Sequence, residues 1–240
     1  PVSQFSVGTD PNKTRLAKDI SSLLDPNGTE NFSDVTLVGA EGEREFRCHK
    51  IVLHRLPVLR QLIKESSAGA GDDGALRLKL DGVPDHLLEH VVKWLYGQPL
   101  SAELSLSVLV QLATVAKRQL GSAQLQQACE STFGMGLNCV SVCQRLEDLA
   151  SFDAGEHGRQ KAAGDDVDLS HLQLTAADLS GFYERCFTLI ARNWDLLKKD
   201  RQPELRSLEA LARKHSPRVA ALLKGDTRAA AEAKQRDAQA

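Results

Sequence analysis

Two stretches of the chain, residues 31–62 and 76–100, constrain its fold more than any other part of the sequence. In the first, Val35 and Leu37 alternate with Thr36 and Val38, and after a turn Phe46 and Cys48 alternate with Arg47, which is typical of a β-hairpin. In the second, leucines alternate with basic residues over 76–80, and this pattern predicts a third strand. We therefore expect a small sheet built from these three strands.

Helices are predicted between and after the strands. A short buried helix is expected over residues 51–56, and another begins at Pro57, whose fixed φ suits the first position of a helix. The segment 85–96 places five apolar side chains on one helical face, namely Leu87, Leu88, Val91, Val92 and Leu95. Beyond Gly136 the apolar spacing is helical, apart from a polar segment at 153–169 that we expect to be an exposed loop.

The composition of the 240 residues restricts the class of function. The formal net charge is −2, so no overall positive charge draws the chain to nucleic acid. The longest uncharged apolar runs fall far short of the roughly 20 residues that span a bilayer. We therefore expect neither nucleic acid nor a membrane as a partner.

The cysteines and the N-terminus bear on the cellular compartment. Five scattered cysteines do not make a disulfide framework and fit a reducing compartment. The chain starts at Pro1 with neither a methionine nor a secretory signal, so we expect a fragment of a longer protein of the cytosol or nucleus.

Three motifs stand out in the two informative stretches. Ser33-Asp34-Val35 opens the first strand, and Phe46-x-Cys48-His49-Lys50 ends the hairpin. Trp94-Leu95-Tyr96-Gly97 closes the helix that follows the third strand. In this order the motifs resemble the BTB/POZ domain over roughly residues 14–133.

The resemblance implies an α+β fold in which a short three-stranded sheet is capped by helices. The chain departs from the family pattern at residues 54–56, which replace small side chains, and at residues 58–59, which replace aromatic ones. The helical remainder, with residues 137–140 and 186–194, resembles the BACK extension that often follows a BTB/POZ domain.

We accordingly expect four segments along the chain. Residues 1–13 are a linker or disordered, and residues 14–135 are the BTB/POZ domain. Residues 136–225 are a BACK-like all-α region with the polar loop inside it, and residues 226–240 are a disordered or helical tail.

The resemblance also implies a non-catalytic homodimer that docks onto cullin-3 and recruits a substrate protein to a ubiquitin ligase. In the family, the helix before the first strand packs across the dimer, and the aspartate of that strand lies near the interface. The corresponding positions here are Leu16, Ile20, Leu23 and Asp34. A helix of about eleven residues is only marginally stable in water on its own. The apolar side chains of this helix therefore need a surface to pack against, either on the same chain or on a partner.

Cullin-binding members often carry a hydrophobic-x-Glu motif after the helix that starts with proline, and Ile63-Lys64-Glu65 has that form. A hydrophobic anchor beside a carboxylate is a reasonable binding hot spot. The alternative is that Ile63 lies in the core and Glu65 is a solvated helix end. A second interaction hypothesis is a dimerisation module of a scaffold or transcription regulator that binds no cullin.

Residues 86–90 match H-x-x-E-H, a zinc-peptidase motif, and define a competing hypothesis of a zinc hydrolase. On a helix, His86 and His90 could share the metal ion, with Glu89 as general base. The apolar stripe lies on the opposite side of this helix, so the motif is expected to face solvent rather than a walled cleft. We therefore expect no metal, no cofactor and no catalytic residue.

The pair Cys139 and Cys143 and the neighbours Cys48 and His49 are expected to be structural. Cys139 and Cys143 are four residues apart on an apolar stripe, where cysteine behaves as a small hydrophobe. Cys48 and His49 are neighbours at the end of a strand, where successive side chains point to opposite faces. This alternation disfavours a thiolate–imidazole pair.

Overall fold

A computed structural model of the chain describes most of the two informative stretches and the helical remainder. The described residues are 33–67, 76–153, 174–200 and 208–224, together with Asp19, Ile20, Ser22, Leu24 and Leu205. The segments expected to be a linker at 1–13 and a tail at 226–240 lie outside them, as does the expected polar loop from residue 154 onward.

Short strands come first in the chain and helices dominate the rest. The strands are β1 (Val35–Val38), β2 (Glu45–Cys48) and β3 (Leu76–Lys79). The helices are α1 (Lys50–Leu53), α2 (Pro57–Ser67), α3 (Asp85–Leu95), α4 (Leu106–Arg118), α5 (Ala123–Met135), α6 (Val142–Asp153), α7 (Ala176–Arg192), α8 (Trp194–Asp200), α9 (Glu209–His215) and α10 (Pro217–Leu223). The predicted α+β fold class is confirmed.

The central strand of the sheet is β1, since the strand order is β2-β1-β3. It runs antiparallel to β2, with Val35 opposite Cys48, and parallel to β3, with Val35 opposite Leu76. Parallel neighbours need a crossover connection, and α1 and α2 lie in the segment that supplies it. In β3 the leucines are buried and the basic residues exposed, which is the alternation that the sequence predicted.

The chain divides into two compact units. The first lies within residues 1–104 and 111–126, and the second within residues 105–110 and 127–240. Leucines of the sheet and of α1–α3 form the centre of the first unit together with Tyr96. The most deeply buried of these side chains are Leu37, Leu53, Leu59, Leu87, Leu88, Leu95 and Tyr96.

The second unit is helical and packs around aromatic side chains. Phe133 of α5 and Phe182 of α7 meet edge to face, with ring centroids 5.3 Å apart. At the start of α7, the Thr175 N–H donates to Oδ2 of Asp178 at 2.9 Å, and the Thr175 hydroxyl lies 2.7 Å from the same oxygen. This capping arrangement explains why the helix begins where it does.

The helices agree with the sequence in α3 but not in α1. All five apolar residues predicted on one face of α3 are buried. By contrast, the expected buried helix over 51–56 ends at Leu53, and Ile51 is 81% exposed. A helix of four residues has too few turns to bury every apolar residue, so Val52 and Leu53 face the core while Ile51 faces solvent.

Among the helices that the structure describes, none combines the length and apolarity that crossing a membrane requires.

Candidate functional site

Asp34 lies immediately before β1 and ties the hairpin to α1. Its Oδ1 accepts a hydrogen bond from the backbone N–H of Lys50 at 2.7 Å, and its own N–H donates to the carbonyl of Cys48 at 3.2 Å. The carboxylate thus satisfies one of the donors that the first turn of a helix leaves unpaired. Asp34 is nevertheless exposed, so it stays accessible to a partner.

The helix predicted at the dimer interface is described only in part. Asp19 and Ile20 are helical, and the side chain of Ile20 is half-buried. Leu16 and Leu23 lie outside the described residues. Of the four residues predicted at the interface, the described part of the chain contains Ile20 and Asp34, and the interface stays a prediction.

Tyr96 connects the hairpin to the end of α3. The ring is fully buried, and Oη accepts the backbone N–H of His49 at 2.8 Å. The same oxygen lies 2.8 Å from Nδ1 of His49. Burial raises the pKa of Tyr96 well above its usual range, so this hydroxyl stays protonated at physiological pH. The motif residues at the ends of β2 and α3 therefore meet in one structural joint.

The cysteines are placed as packing residues. Burial raises the pKa of Cys48, Cys129 and Cys186 to about 12 in each case. Because the thiolate is the nucleophilic form, these three side chains are poor nucleophiles at neutral pH. Cys143 is also buried and Cys139 is half-buried. No disulfide joins any of the five, all of which the structure describes.

The proposed cullin motif lies at the C-terminal end of α2, and its two key residues are placed differently. Ile63 is 4% exposed and packs in the core of its own chain. Glu65 is exposed, and its Oε1 accepts a hydrogen bond from Nε2 of Gln61 at 2.9 Å. Of this pair, only Glu65 presents its side chain to a partner.

The H-x-x-E-H segment lies on α3, with His86, Glu89 and His90 all half-buried. Glu89 accepts from Lys93 at 2.6 Å and pairs with Arg44 at 3.0 Å. The hydrogen bond from Lys93 lowers the pKa of Glu89, and burial lowers the pKa of His90. The described residues contain no group of three or more metal-ligating side chains arranged to hold an ion.

The buried carboxylate of Asp85 is a structural residue that the sequence does not predict. Asp85, 6% exposed at the start of α3, accepts the backbone N–H groups of Glu43 and Arg44 through Oδ2 at 2.8 and 2.9 Å. Its own N–H donates to Oε2 of Glu41 at 2.7 Å. In the sequence it looks only like an acidic residue in a first helical turn, which complements the helix dipole. Its partners in the β1–β2 turn are 41 and 42 positions away, and no local pattern points to them.

The comparison with known families identifies the first part of the chain. The sequence model of the BTB/POZ domain matches residues 23–134. No curated protein gives a significant match. The matched segment contains the three strands and α1–α4, which agrees with the fold class that the resemblance implied. Residues 23–134 of this chain form a BTB/POZ domain, a protein-interaction module.

Proposed function

We propose that this chain is a non-catalytic substrate adaptor of a cullin-3 type ubiquitin ligase and acts as a homodimer. The supporting observation is the BTB/POZ domain at residues 23–134, because domains of this family serve protein–protein interaction. In this proposal the chain pairs with a second copy, binds the cullin and holds a substrate protein in the cytosol or nucleus. No metal or cofactor takes part.

Glu65 is the proposed cullin contact. Ile63 fills the core, so its part is to hold the end of α2 in place rather than to enter a pocket of the partner. The carboxylate of Glu65 lies at the surface, where its bond to Gln61 is exposed and exchanges readily with solvent or a partner donor. A charge in this position sets the register of an interface and the rate of association.

The test is a pull-down of purified cullin-3 with the wild type and with Glu65→Lys. We expect the substitution to weaken binding about tenfold or more, since reversing one charge of a pair leaves the other opposed by a like charge. Glu184→Lys, on the exposed face of α7, is the matched control and is expected to bind like the wild type. Equal binding by wild type and Glu65→Lys would remove this contact from the proposal.

If the wild type binds no cullin, its self-association tests the second interaction hypothesis, a dimerisation module without cullin binding. If it still self-associates, the domain belongs to a scaffold or transcription regulator that uses BTB/POZ pairing alone. The same preparation, studied by sedimentation, therefore serves both questions.

The proposed dimer forms across the helix that carries Leu16, Ile20 and Leu23, with Asp34 nearby. Its support is the half-buried Ile20 in a helical segment, which one chain leaves partly uncovered. We expect the wild type to sediment as a dimer and Ile20→Asp as a monomer. Val140→Asp introduces the same charge at a side chain that is 70% exposed in the second unit, and the dimer should persist. A monomeric wild type would contradict the proposal.

The helical region at 136–225 is proposed to act as a BACK-like extension of the BTB/POZ domain at 14–135. The helices α6–α10 support this assignment, since all described elements beyond residue 136 are helical. Limited proteolysis is expected to cut first within 153–169 and to spare both flanking parts. A first cut inside α6 or α7 would speak against these boundaries.

A further inference from the structure

The strand β3 forms one edge of the sheet, because the strand order is β2-β1-β3. The N–H groups of Leu76 and of Leu80, which follows β3, donate to carbonyls of the β1 segment at 3.3 and 2.9 Å. Alternate residues of a strand bond to opposite sides, so Arg77 and Lys79 direct their backbone N–H and C=O groups away from β1. We call these outward backbone groups of Arg77 and Lys79 the β3 edge.

The β3 edge has the properties of a strand that can accept a neighbour. Within the described residues, no hydrogen bond reaches the outward N–H or C=O of Arg77 or Lys79. Both side chains are exposed, whereas Leu76 and Leu78 are 8% and 3% exposed and face the core. A strand with unpaired backbone groups on one side is a template for an added strand, which supplies main-chain hydrogen bonds along it.

The two cations beside the β3 edge are held only by weak ion pairs. Arg77 pairs with Glu45 of β2 at 3.0 Å, and Lys79 pairs with Asp81 at 3.5 Å. All four side chains are at least 55% exposed. Because exposed pairs contribute about 1 kcal/mol or less, carboxylates of a partner can compete for both cations.

The opposite edge of the sheet does not favour a partner of either charge. The exposed residues of β2 are Glu45 and Arg47, which carry opposite charges. A strand added along β2 would therefore meet one carboxylate and one guanidinium. Since the two exposed side chains of β3 are both basic, charge complementarity favours an acidic partner at β3 alone.

We propose that the β3 edge binds an extended segment of a partner protein as an additional strand, and that this segment alternates apolar residues with Asp or Glu. Its acidic side chains lie beside Arg77 and Lys79 on the outer face of the sheet. Its apolar side chains lie beside Leu76 and Leu78 on the inner face. A second copy of β3 would set the same cations against one another, which is unfavourable.

This surface goes beyond the proposed cullin contact and the proposed dimer. Neither Glu65 nor the helix with Ile20 belongs to β3, so binding at the β3 edge can be present or absent whatever the outcome of the cullin pull-down and of sedimentation.

The experiment measures amide exchange in the isotopically labelled full chain by NMR. In the free chain, the amides of Arg77 and Lys79 should exchange with heavy water faster than that of Leu78, which bonds to β1. The probe is an acetylated seven-residue peptide that alternates valine and glutamate. At a saturating concentration of this peptide, we expect the exchange of both outward amides to slow by about tenfold or more.

Methylation of the peptide nitrogens distinguishes strand addition from binding through side chains alone. One version of the probe is methylated at the glutamates and the other at the valines. Because alternate N–H groups of an added strand face β3, one version should lose about tenfold or more in affinity and the other should stay within about twofold. Loss in the glutamate version indicates antiparallel addition, and loss in the valine version indicates parallel addition. Equal effects of the two versions would contradict strand addition.

Charge reversal tests which edge is used. A peptide that alternates valine and lysine should bind the wild type about tenfold more weakly than the glutamate peptide. Arg77→Glu combined with Lys79→Glu should reverse this preference. Lys79→Glu alone leaves the pair between Arg77 and Glu45 intact and should weaken the preference. The matched control is Arg47→Glu, exposed on β2, which should keep the preference of the wild type.

Three results would overturn the proposal. Slow exchange of the Arg77 and Lys79 amides in the free chain at every protein concentration would assign the β3 edge to another segment of the same chain. Protection that rises with protein concentration would assign it to a second copy. A preference that Arg47→Glu reverses and Lys79→Glu leaves unchanged would place the added strand on β2.

Discussion

At the scale of single residues, three polar side chains join elements of the first unit that are distant in sequence. Asp34 binds the N-terminus of α1, Asp85 binds the β1–β2 turn, and Tyr96 binds the residue after β2. Each satisfies a backbone N–H at a junction, where a regular helix or strand supplies no acceptor. Because buried or half-buried donors are costly to leave unpaired, these side chains determine how the hairpin and helices meet.

Substitution of Gly39 tests how closely the chain after β1 packs against Asp85. A Cβ at this position would overlap Oδ1 of Asp85 and would lie 2.8 Å from the backbone carbonyl oxygen of Val83. Gly39→Ala should therefore lower the free energy of unfolding by about 2 kcal/mol, as overpacking does, measured by urea denaturation.

Gly134→Ala is the matched control for this substitution. Its Cβ would meet only the flexible Arg185 side chain, at 3.6 Å, and alanine favours helix over glycine. Stability should stay the same or rise by up to about 1 kcal/mol. Equal losses in the two variants would show that the contact with Asp85 is not the cause.

The buried cysteine thiols of both units are expected to make the free energy of unfolding depend on pH in the alkaline range. Burial raises the pKa of Cys48, Cys129 and Cys186 from 9.0 to about 12 in the folded chain. Between these two pKa values the thiols of the unfolded chain release protons that the folded chain keeps. The contribution of the protonated thiols to the stability of the folded chain is therefore complete below pH 9.0 and is lost as the pH rises towards 12. The free energy of unfolding should therefore fall as pH rises through this range.

Urea midpoints between pH 8 and 11 measure the decline, and Cys129→Ala separates the thiols from other groups that titrate there. Removing one buried thiol should make the decline shallower than in the wild type. Parallel curves for the two proteins would contradict the assignment of the pH dependence to Cys129.

At the scale of elements, the sequence predicts helices and strands whose apolar residues recur with a regular period, and it does not predict burial in elements too short to show a period. The sequence predicts the period of α3 and the alternation of β3 correctly, because α3 has 11 residues and the two-residue period of a strand is visible within the four residues of β3. Four residues of α1 show no period, so the exposure of Ile51 could not be foreseen. The motif in the sequence points to Ile63 and Glu65 together, but which of the two is buried depends on how α2 packs on the core.

The start of α7 offers a prediction at this scale. Asp178 is 4% exposed and accepts the Thr175 N–H, so it both caps the helix and lies in the core of the second unit. Asp178→Ala should cost about 1 kcal/mol or more of unfolding free energy, because it leaves the Thr175 N–H without its acceptor and removes half of the capping box. Ser180→Ala removes only an exposed bond to the Ala177 carbonyl and should cost less than about 0.5 kcal/mol. Circular dichroism during urea titration compares the two, and a larger loss for Ser180→Ala would contradict the capping role.

At the scale of the whole molecule, the chain combines a BTB/POZ domain at residues 23–134 with a later region whose described elements are all helices. The family could be inferred from the sequence because its motifs lie at joints between elements, where particular side chains are needed. The partner surfaces could not, since they depend on which side chains remain exposed and unpaired after folding. The proposed role of Glu65 depends on the exposure of its side chain, which the sequence does not state.

Removal of metal distinguishes an interaction module from the zinc hydrolase hypothesis for the intact protein. The carboxylate of Glu89 is already engaged by Lys93 at 2.6 Å and Arg44 at 3.0 Å, so two cations lie where a third would have to bind beside His86 and His90. Dialysis against EDTA should therefore change neither the melting temperature nor cullin binding. Mass spectrometry of the purified chain should detect far less than one zinc per molecule.

His86→Ala combined with His90→Ala provides the matching variant for this measurement. A bound ion stabilises the folded state in proportion to the logarithm of its concentration over Kd, so a genuine site would lose several kcal/mol, on the order of 4, when metal at about a thousandfold excess over Kd is withdrawn. Stoichiometric zinc that disappears in the double variant, together with a melting temperature lowered by EDTA only in the wild type, would restore the hydrolase hypothesis. Identical melting curves with and without EDTA in both proteins would instead leave the face of α3 as a salt-bridged surface, with Arg44 and Lys93 as the cations that Glu89 binds.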